Sequence, residues 1–538
     1  MAVSRGSRRP VLLAVLVLVL VLSGCDPGHA GPPVGAGPVS VGLTGPVGPV
    51  TRSCHGVEVT AAGTIQRAID AHPPGTTFCL RAMTYRLTAP LVPKRGDAFI
   101  GQPGAVLNGS KIVTGWHRHG RAWSAAGFLP AAPGTNGECT AAAPLCTHEQ
   151  DVFADHRRLR PVASGAAVTA GTVFADYRTG TLTIGTDPRS HLIEQAVAPG
   201  LIQATVDDVA VENLVLEQAA NEAQVGAVDS RDVFGTHTGG TGWRIIHDEV
   251  RLNHGAGIGF GGASIVSANL ITGQGQIGFD AYGSGSVITG NEISRNGTAG
   301  YSPGWEAGGG KNWMTSHETF THNYVRGNMG PGFWDDEGNM DTTYDYNVIA
   351  GNWGAGIQHE ISYDATITYN QISGNGFGMH QGWAWDAGIQ IQSSGGVKRI
   401  DVAHNVVIGN YNGITVIDSG SRAREQPAPY GPHLVHNVWV HDNVVAMSGR
   451  AVTGAFDDDD NPAIFRTSGN RFSANTYYLG SLDGVNFSWA YADVDWDRWL
   501  AYGNDRGGRA TPLGSAEAAP FRDVPASPSA RLPGITRT

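Results

Sequence analysis

Asn323-Tyr-Val-Arg-Gly-Asn328-Met-Gly-Pro-Gly332-Phe333 is followed by a second copy of the same phrase, Asn347-Val-Ile-Ala-Gly-Asn352-Trp-Gly-Ala-Gly356-Ile357. Further copies begin at Asn269, Asn291, Asn370 and Asn405. Successive copies start 22 to 24 residues apart, except for two longer steps of 32 and 35 residues. A repeat at a short, nearly constant period indicates that one structural unit is stacked on itself many times.

The composition of each period identifies the repeating unit. Short β-branched runs alternate with Asn/Gly turns, and no sustained helical pattern is present, so the unit consists of strands. A leucine-rich repeat has a similar period but needs a leucine framework that this region lacks. We therefore predict that each period forms one coil of three short strands. The asparagines should stack at the turns, because asparagine tolerates a left-handed backbone and its amide can bond to the next coil.

The chain before the repeats carries a suitable end cap. Residues 64–71 read as a short amphipathic helix, and residues 76–80 and 85–87 read as strands of a first coil. These features and the repeats together resemble the right-handed parallel β-helix of pectate-lyase-like and polysaccharide-hydrolase families, over roughly residues 53–505. The resemblance implies an all-β solenoid with an N-terminal capping helix and a small β insertion domain, and it implies a carbohydrate as the substrate.

Shifts in composition divide the chain into six segments. We predict a signal peptide at 1–24, a Gly/Pro-rich tether at 25–52, the cap and first coils at 53–113, a small β insertion at 114–196, the β-helix repeats at 197–505 and an irregular tail at 506–538. The insertion is expected because residues 114–196 break the repeat. It is similar to the insertion found in several β-helix glycosidase-like proteins.

The N-terminal segment predicts export. Three arginines precede an unbroken apolar run from Val11 to Leu22, which is too short to span a bilayer as a helix. Leu22-Ser23-Gly24-Cys25 resembles a bacterial lipoprotein signal, which implies cleavage before Cys25 and lipidation of its thiol. An ordinary secretory signal is the alternative. We therefore expect a protein that is exported and either lipid-anchored on the extracytoplasmic face of the membrane or secreted.

Composition limits the partners. The net charge is −11, which disfavours nucleic acid because phosphate binding needs a basic face. We expect no membrane contact beyond the lipid anchor, and a monomer. After Cys25, four cysteines remain in a chain expected to be exported, which predicts two disulfides with three connectivities. Sequence proximity favours Cys54–Cys79 and Cys139–Cys146.

The candidate catalytic residues come from alignment of the coils on their Gly-apolar step. Ile277, Phe333, Ile357, Ile389 and Ile414 then point inward, and the residues three positions later point outward. This places Asp336 and Glu360 in one column on neighbouring coils, about 4.8 Å apart at the backbone, with Asp280 in the same column. Two carboxylates so close repel each other, which raises the pKa of one and suits an acid/base pair. A calcium site or a pair of solvated side chains is the alternative.

A second cluster precedes Asp336 by one coil. Trp305-Glu306-Ala-Gly-Gly-Gly-Lys311 reads as a glycine-rich loop that can approach a ligand closely and that carries one of four lysines. Glu306 is the substitute for either catalytic carboxylate. We expect seven side chains to bind substrate: Asp280, Trp305, Lys311, Trp334, Asn339, Gln358 and His359. The tryptophans suit this role because sugar C–H faces stack on aromatic rings.

Three functions remain open from the sequence. The leading hypothesis is a glycoside hydrolase that cleaves a poly- or oligosaccharide without a cofactor, with Asp336 and Glu360 as its carboxylate pair. The second is a polysaccharide lyase in which Lys311 is the base and Asp280, Asp336 and Glu360 hold calcium. The third is a non-catalytic cell-surface glycan-binding protein. The identity of the metal, if any, stays unknown.

Overall fold

The computed structural model describes residues 40–61, 63–235, 239–379, 382, 384–458 and 460–521. The signal peptide, Cys25, Trp383 and the residues after 521 lie outside the described residues, so the predictions that concern them stay predictions.

Three long sheets of mainly parallel strands wind around one core, and the coils of the repeat region contribute one strand to each sheet. The prediction of a right-handed parallel β-helix solenoid is confirmed. Within the described part of the chain, the first sheet has 13 strands, the second 13 and the third 12.

The strands of the first sheet are Val57–Val59, Thr77–Leu80, Ala98–Gly101, Ala210–Glu212, Arg244–Ile246, Ile265–Ser267, Val287–Thr289, Thr319–Thr321, Thr342–Asp345, Ala365–Thr368, Ile400–Ala403, Val438–His441 and Arg471–Ser473. Those of the second sheet are Thr84–Arg86, Val106–Asn108, Val215–Glu217, Glu249–Arg251, Leu270–Thr272, Glu292–Ser294, Tyr324–Arg326, Val348–Ala350, Gln371–Ser373, Val406–Ile408, Val444–Met447, Thr476–Leu479 and Arg509–Pro512. Those of the third sheet are Ile202–Gln203, Gly226–Asp229, Ala256–Phe260, Ile277–Ser284, Gly308–Ser316, Phe333–Asp336, Ile357–Glu360, Ala387–Gln392, Asn412–Asp418, Thr453–Asp457, Phe487–Trp489 and Ala492–Val494.

Asparagine ladders join the coils, as the repeat predicts. The side-chain Oδ1 of Asn291 accepts hydrogen bonds from both the backbone N–H and the side-chain amide of Asn269, at 2.9 and 3.0 Å. The Asn269 amide also donates to the carbonyl of Ile245 in the preceding coil, at 2.8 Å. One ladder runs from Asn269 to Asn475, and a parallel one runs through Asn296 to Asn410. Every rung satisfies buried polar groups that would otherwise cost free energy at the turn.

Both described ends of the solenoid are covered. The predicted cap is a helix at Ile65–Ala71, which buries Ile65 and Ile69 against the first coils. At the other end, the helix Trp496–Ala501 buries Trp499. The remaining helical segments are short: Gly165–Ala167, Pro303–Glu306, Pro462–Phe465 and Ala519–Phe521. Disulfides join Cys54 to Cys79 and Cys139 to Cys146, which confirms the predicted pairing.

Residues between the early and later coils form two extra sheets with mostly antiparallel pairing. One contains His117–His119, Ala122–Ala126, Arg160–Pro161, Thr172–Asp176 and Thr181–Ile184, and the other contains Ser110–Ile112, Val152–Ala154, Arg157–Arg158 and Ile193–Ala196. They have a small core of their own, which includes Leu182 and Ile184. Among the described residues, no helix is both long and apolar enough to cross a membrane.

Candidate active site

A cleft of about 730 Å³ lies on the outer face of the third sheet. Asp336, Glu360, Glu306, Lys311 and Asp280 all line it, although they are separated by up to 80 residues in the chain. The parallel coils bring them together, because each third-sheet strand presents its outward side chains beside those of its neighbours. These five predicted site residues therefore share one surface.

The strand register places Asp336 beside Glu360. Trp334 pairs with Gln358 and Asp335 with His359, so the next residues, Asp336 and Glu360, are neighbours on adjacent strands. Asp336 is 7% exposed and Glu360 4%, so the two carboxylates are largely removed from water.

Asp280 does not lie in the column of Asp336, which corrects the alignment from sequence. Asp280 pairs with Lys311, and Lys311 pairs with Trp334, two residues before Asp336. The residue that points into the core at this level is Phe279, where the alignment from sequence had placed Ile277. The strand Ile277–Ser284 is long, and its Gly-apolar step is therefore offset by two residues from that of the neighbouring coils. Asp280 still lines the cleft, two positions along the strand from the expected one.

The glycines before Lys311 belong to a strand, which corrects the predicted glycine-rich loop. A short helix at Pro303–Glu306 is followed by the strand Gly308–Ser316. A Cβ atom on Gly310 would lie 1.9 Å from the ring of Phe279, so glycine is required there by core packing.

Lys311 is held between two carboxylates. Its ammonium nitrogen lies 3.2 Å from Oε2 of Glu306 and 3.0 Å from Oδ2 of Asp336, and 4.8 Å from the centre of the Trp334 ring. Burial favours the neutral amine, but the charges of Glu306 and Asp336 outweigh it and raise the pKa of Lys311 above its usual value. Lys311 is therefore a cation near neutral pH.

Arg422 connects the two candidate catalytic carboxylates. Its Nη2 atom lies 2.7 Å from Oε1 of Glu360 and 3.6 Å from Oδ1 of Asp336. Arg422 comes from the long connection after the strand Asn412–Asp418, which also brings Glu425 to the cleft. One guanidinium group thus stabilises both carboxylates and fixes their separation.

Glu360 has the environment of a general acid. Burial and the negative charge of Asp336 raise its pKa to about 7, against the lowering effects of Arg422, Gln358 and Trp334. The Trp334 indole and the Gln358 amide donate hydrogen bonds to Oε2 of Glu360, at 3.0 and 2.6 Å. A carboxyl group with a pKa near 7 can hold a proton and release it at neutral pH.

A second group of charged residues occupies the other part of the cleft. Arg231 lies 2.9 Å from Asp229 and 2.7 Å from Asp280. Burial, followed by the charge of Glu306, keeps the pKa of Asp280 at about 6 although Arg231 lowers it. Gln224 donates to Oε2 of Glu306 at 2.8 Å.

The predictions for His359 and Asn339 as substrate ligands do not agree with the structure. Both side chains are fully buried and neither lines the cleft. His359 points inward, where its ring nitrogens meet Asp335 at 2.7 Å and the Tyr363 carbonyl at 2.6 Å. Asn339 stabilises a turn by donating to the Asp336 carbonyl at 2.9 Å and to Ser362 at 3.1 Å. The period-two alternation of the strand Ile357–Glu360 turns His359 into the core, where Asp335 is its buried partner.

Tryptophans line the same cleft. Trp334 and Trp305, both predicted ligands, are joined there by Trp313 and Trp385. Trp313 donates to Glu337 at 2.6 Å and is thereby held in place. Gln358, another predicted ligand, also lines the cleft.

Sequence reasoning missed two arginines and a glutamine of the site. Arg231 follows a third-sheet strand by two residues, Arg422 lies in a connection of irregular length, and Gln224 precedes the strand that ends at Asp229. The long interruption of the repeat after Asp418 was the available signal for Arg422, because insertions at one edge of a solenoid usually build its binding face.

The comparisons with known proteins concern the fold. A family model described as a right-handed β-helix region matches residues 234–426. No protein with a curated function matches the chain by sequence. The fold is a right-handed parallel β-helix.

Several solved structures are similar. A complex of XylC with xylose has 14% identity and a TM-score of 0.48, over 74% of this chain and 83% of that one. The A-module of the Azotobacter vinelandii mannuronan C-5 epimerase AlgE6 has 14% identity and a TM-score of 0.48, over 84% and 94%. A polygalacturonase from Erwinia carotovora has 9% identity and a TM-score of 0.39, over 78% and 97%. At these values the function has to be inferred from the residues of the cleft.

Proposed function

We propose that this protein is an exported glycoside hydrolase that cleaves a poly- or oligosaccharide in the cleft of the third sheet. The observation that carries the proposal is the pair of buried carboxylates, Asp336 and Glu360, on adjacent strands and both within 4 Å of one guanidinium group, at 3.6 and 2.7 Å. A glycosidase needs one carboxyl group that gives a proton to the leaving oxygen and a second that acts as nucleophile or base.

The two carboxylates have distinct roles in this proposal. Glu360, whose pKa is raised to about 7, protonates the glycosidic oxygen as the bond breaks. Asp336 faces the cations of Lys311 and Arg422, and it attacks the anomeric carbon or activates a water molecule. Trp334 and Trp305 supply rings on which a sugar can stack. The two disulfides support export, since such bonds persist in oxidising compartments.

The lyase alternative is less well supported. A lyase base must be able to accept a proton, whereas the ammonium group of Lys311 is stabilised by Glu306 and Asp336. The carboxylates proposed for calcium are already bonded to cationic side chains: Asp280 to Arg231, Asp336 to Lys311 and Glu360 to Arg422. The non-catalytic alternative does not explain why two neighbouring carboxylates are buried, which costs free energy.

The test is a screen of plant, algal and bacterial glycans that measures reducing ends and ultraviolet absorbance together. Hydrolysis releases reducing ends without an unsaturated product, and lyase activity gives both. Asp336→Asn and Glu360→Gln should fold normally and lose 10²-fold or more of the turnover. Asp483→Asn, in an exposed turn, and Glu292→Gln, on the second sheet, are matched controls that should keep it. Full activity of both cleft variants would overturn the assignment.

A further inference from the structure

Each cationic side chain that lines the cleft is shared between at least two carboxylates. Arg231 contacts Asp229 and Asp280, Lys311 contacts Glu306 and Asp336, and Arg422 contacts Asp336, Glu360 and Glu425. Among the described lining residues these three are the cations, so carboxylates outnumber them in the cleft. The remaining hydrogen bonds to these carboxylates come from uncharged groups, such as Gln224 and Gln358.

This arrangement disfavours an anionic sugar. A uronate or sulfate group would have to displace a carboxylate from Arg231, Lys311 or Arg422, each of which is largely buried with its partners or bonded to them. A negative ligand would also enter a low-dielectric cleft with excess negative charge, where repulsion is poorly screened. An ammonium group would gain from the same field.

One carboxylate oxygen is placed to receive such a group. Both contacts of Glu306 with described residues, from Gln224 and Lys311, use Oε2, which leaves Oε1 for a ligand in the cleft. Asp280 lies on the strand next to Lys311 and shares the cleft with Glu306. Burial, and to a smaller extent the charge of Glu306, raises the pKa of Asp280 to about 6, although Arg231 lowers it.

We infer that the glycan recognised by this cleft carries free amino groups, and that Glu306 and Asp280 form the subsite for the ammonium group of an amino sugar. This inference rests on the proposed function only for the location of the cleaved bond, at Asp336 and Glu360 on the other side of Lys311. The subsite itself requires no reaction, because it is built from a charge imbalance and an open carboxylate oxygen.

Binding separates this inference from the proposed reaction. Calorimetric titration of the full chain compares four tetrasaccharides: glucosamine, N-acetylglucosamine, glucose and galacturonate oligomers. We expect the glucosamine oligomer to bind at least tenfold more tightly than the acetylated and glucose oligomers, and the galacturonate oligomer to bind most weakly. The preference should decrease with added salt and when pH rises above the pKa of the sugar amine.

Two variants locate the subsite. Glu306→Gln and Asp280→Asn should reduce the glucosamine preference several-fold while leaving affinity for the glucose oligomer nearly unchanged, and Glu292→Gln should change neither. Equal affinity for the acetylated and free amines, or tighter binding of galacturonate, would overturn the inference. Hydrolysis of an uncharged glycan without amine preference would overturn it while the proposed function stands. Tight amine-dependent binding without cleavage would support it while the proposed function fails.

Discussion

His359 and Asp335 face each other inside the solenoid, with Nδ1 of the imidazole 2.7 Å from Oδ2 of the carboxylate and neither side chain exposed. Their chain neighbours are Glu360 and Asp336, which point the opposite way into the cleft. Asp335 also accepts hydrogen bonds from Asn312 at 2.6 Å and from Tyr344 at 2.7 Å. The two strands that carry the candidate catalytic pair are thus joined on their inner face by a buried polar network.

Breaking this inner pair should destabilise the protein and lower turnover together. His359→Leu leaves Asp335 buried without one partner, and we expect a loss of about 3–5 kcal/mol in the free energy of unfolding. A double-mutant cycle with Asp335→Asn, followed by urea unfolding, measures the coupling between the two side chains. Additive losses in the cycle would show that the pair does not act as a unit.

The pH dependence of turnover reports on Glu360. The proposed acid works in its protonated form, and its pKa is about 7, so kcat should approach a plateau just below pH 7 and fall tenfold per unit well above it. A pH profile of kcat at saturating substrate measures this. The residual activity of Glu360→Gln should lack the basic limb, and an unchanged limb in that variant would assign the proton to another group.

Arg422 should determine the pH at which kcat begins to fall. Its guanidinium lowers the pKa of Glu360, so Arg422→Met should move the basic limb of kcat to higher pH and reduce the maximal rate. Arg424→Met is the matched control, because Arg424 is exposed and does not line the cleft. A limb at the same pH in Arg422→Met would contradict the role given to the ion pair.

An aspartate in the asparagine ladder should limit stability. Asp248 is fully buried, its backbone N–H donates to Asn269 at 2.8 Å, and its Oδ1 accepts from Leu214 at 2.7 Å. Unlike the asparagines that follow, an aspartate has no side-chain amide with which to donate. Asp248→Asn should therefore raise the free energy of unfolding by about 1–3 kcal/mol.

The sign of the pH effect gives a second readout for Asp248. Burial raises its pKa in the folded state well above the ordinary value, so its stabilising contribution is present at low pH and lost as pH rises through the folded-state pKa. The advantage of Asp248→Asn over the wild type should grow from acidic to neutral pH in urea titrations. The reverse change, Asn269→Asp, should destabilise most at neutral pH, and an advantage that shrinks with pH would refute the explanation.

Lipidation of Cys25 predicts how the protein partitions. The wild type should sediment with membranes after expression in a bacterial host that processes lipoproteins, and Cys25→Ala should not be anchored. Equal release of both proteins would favour the ordinary secretory signal.

Features with a local or periodic cause were determined by the sequence. The Asn-Gly phrase specified strands, coil length and stacked amides, because the same turn has to recur in each coil for the ladder to continue. The period of two within a strand put Asp336 and Glu360 on the outer face, whereas His359, expected as a substrate ligand, points inward. Short sequence separation favoured the observed disulfides over the two other connectivities, because a shorter loop costs less entropy to close.

The tertiary structure alone decided the charge distribution of the cleft. Arg231 pairs with Asp280, 49 residues away in the chain, and Arg422 pairs with Glu360, 62 residues away. Both arginines lie in connections between strands, whose paths the repeat does not predict. The length of one strand, Ile277–Ser284, determined which residues of the neighbouring coils Asp280 lies beside. The ring of Phe279, which points into the core, leaves no room for a side chain at Gly310. Coil repeats constrain neighbouring strands through hydrogen bonds, whereas loops are positioned by side-chain packing and ion pairs that form only once the coils are stacked.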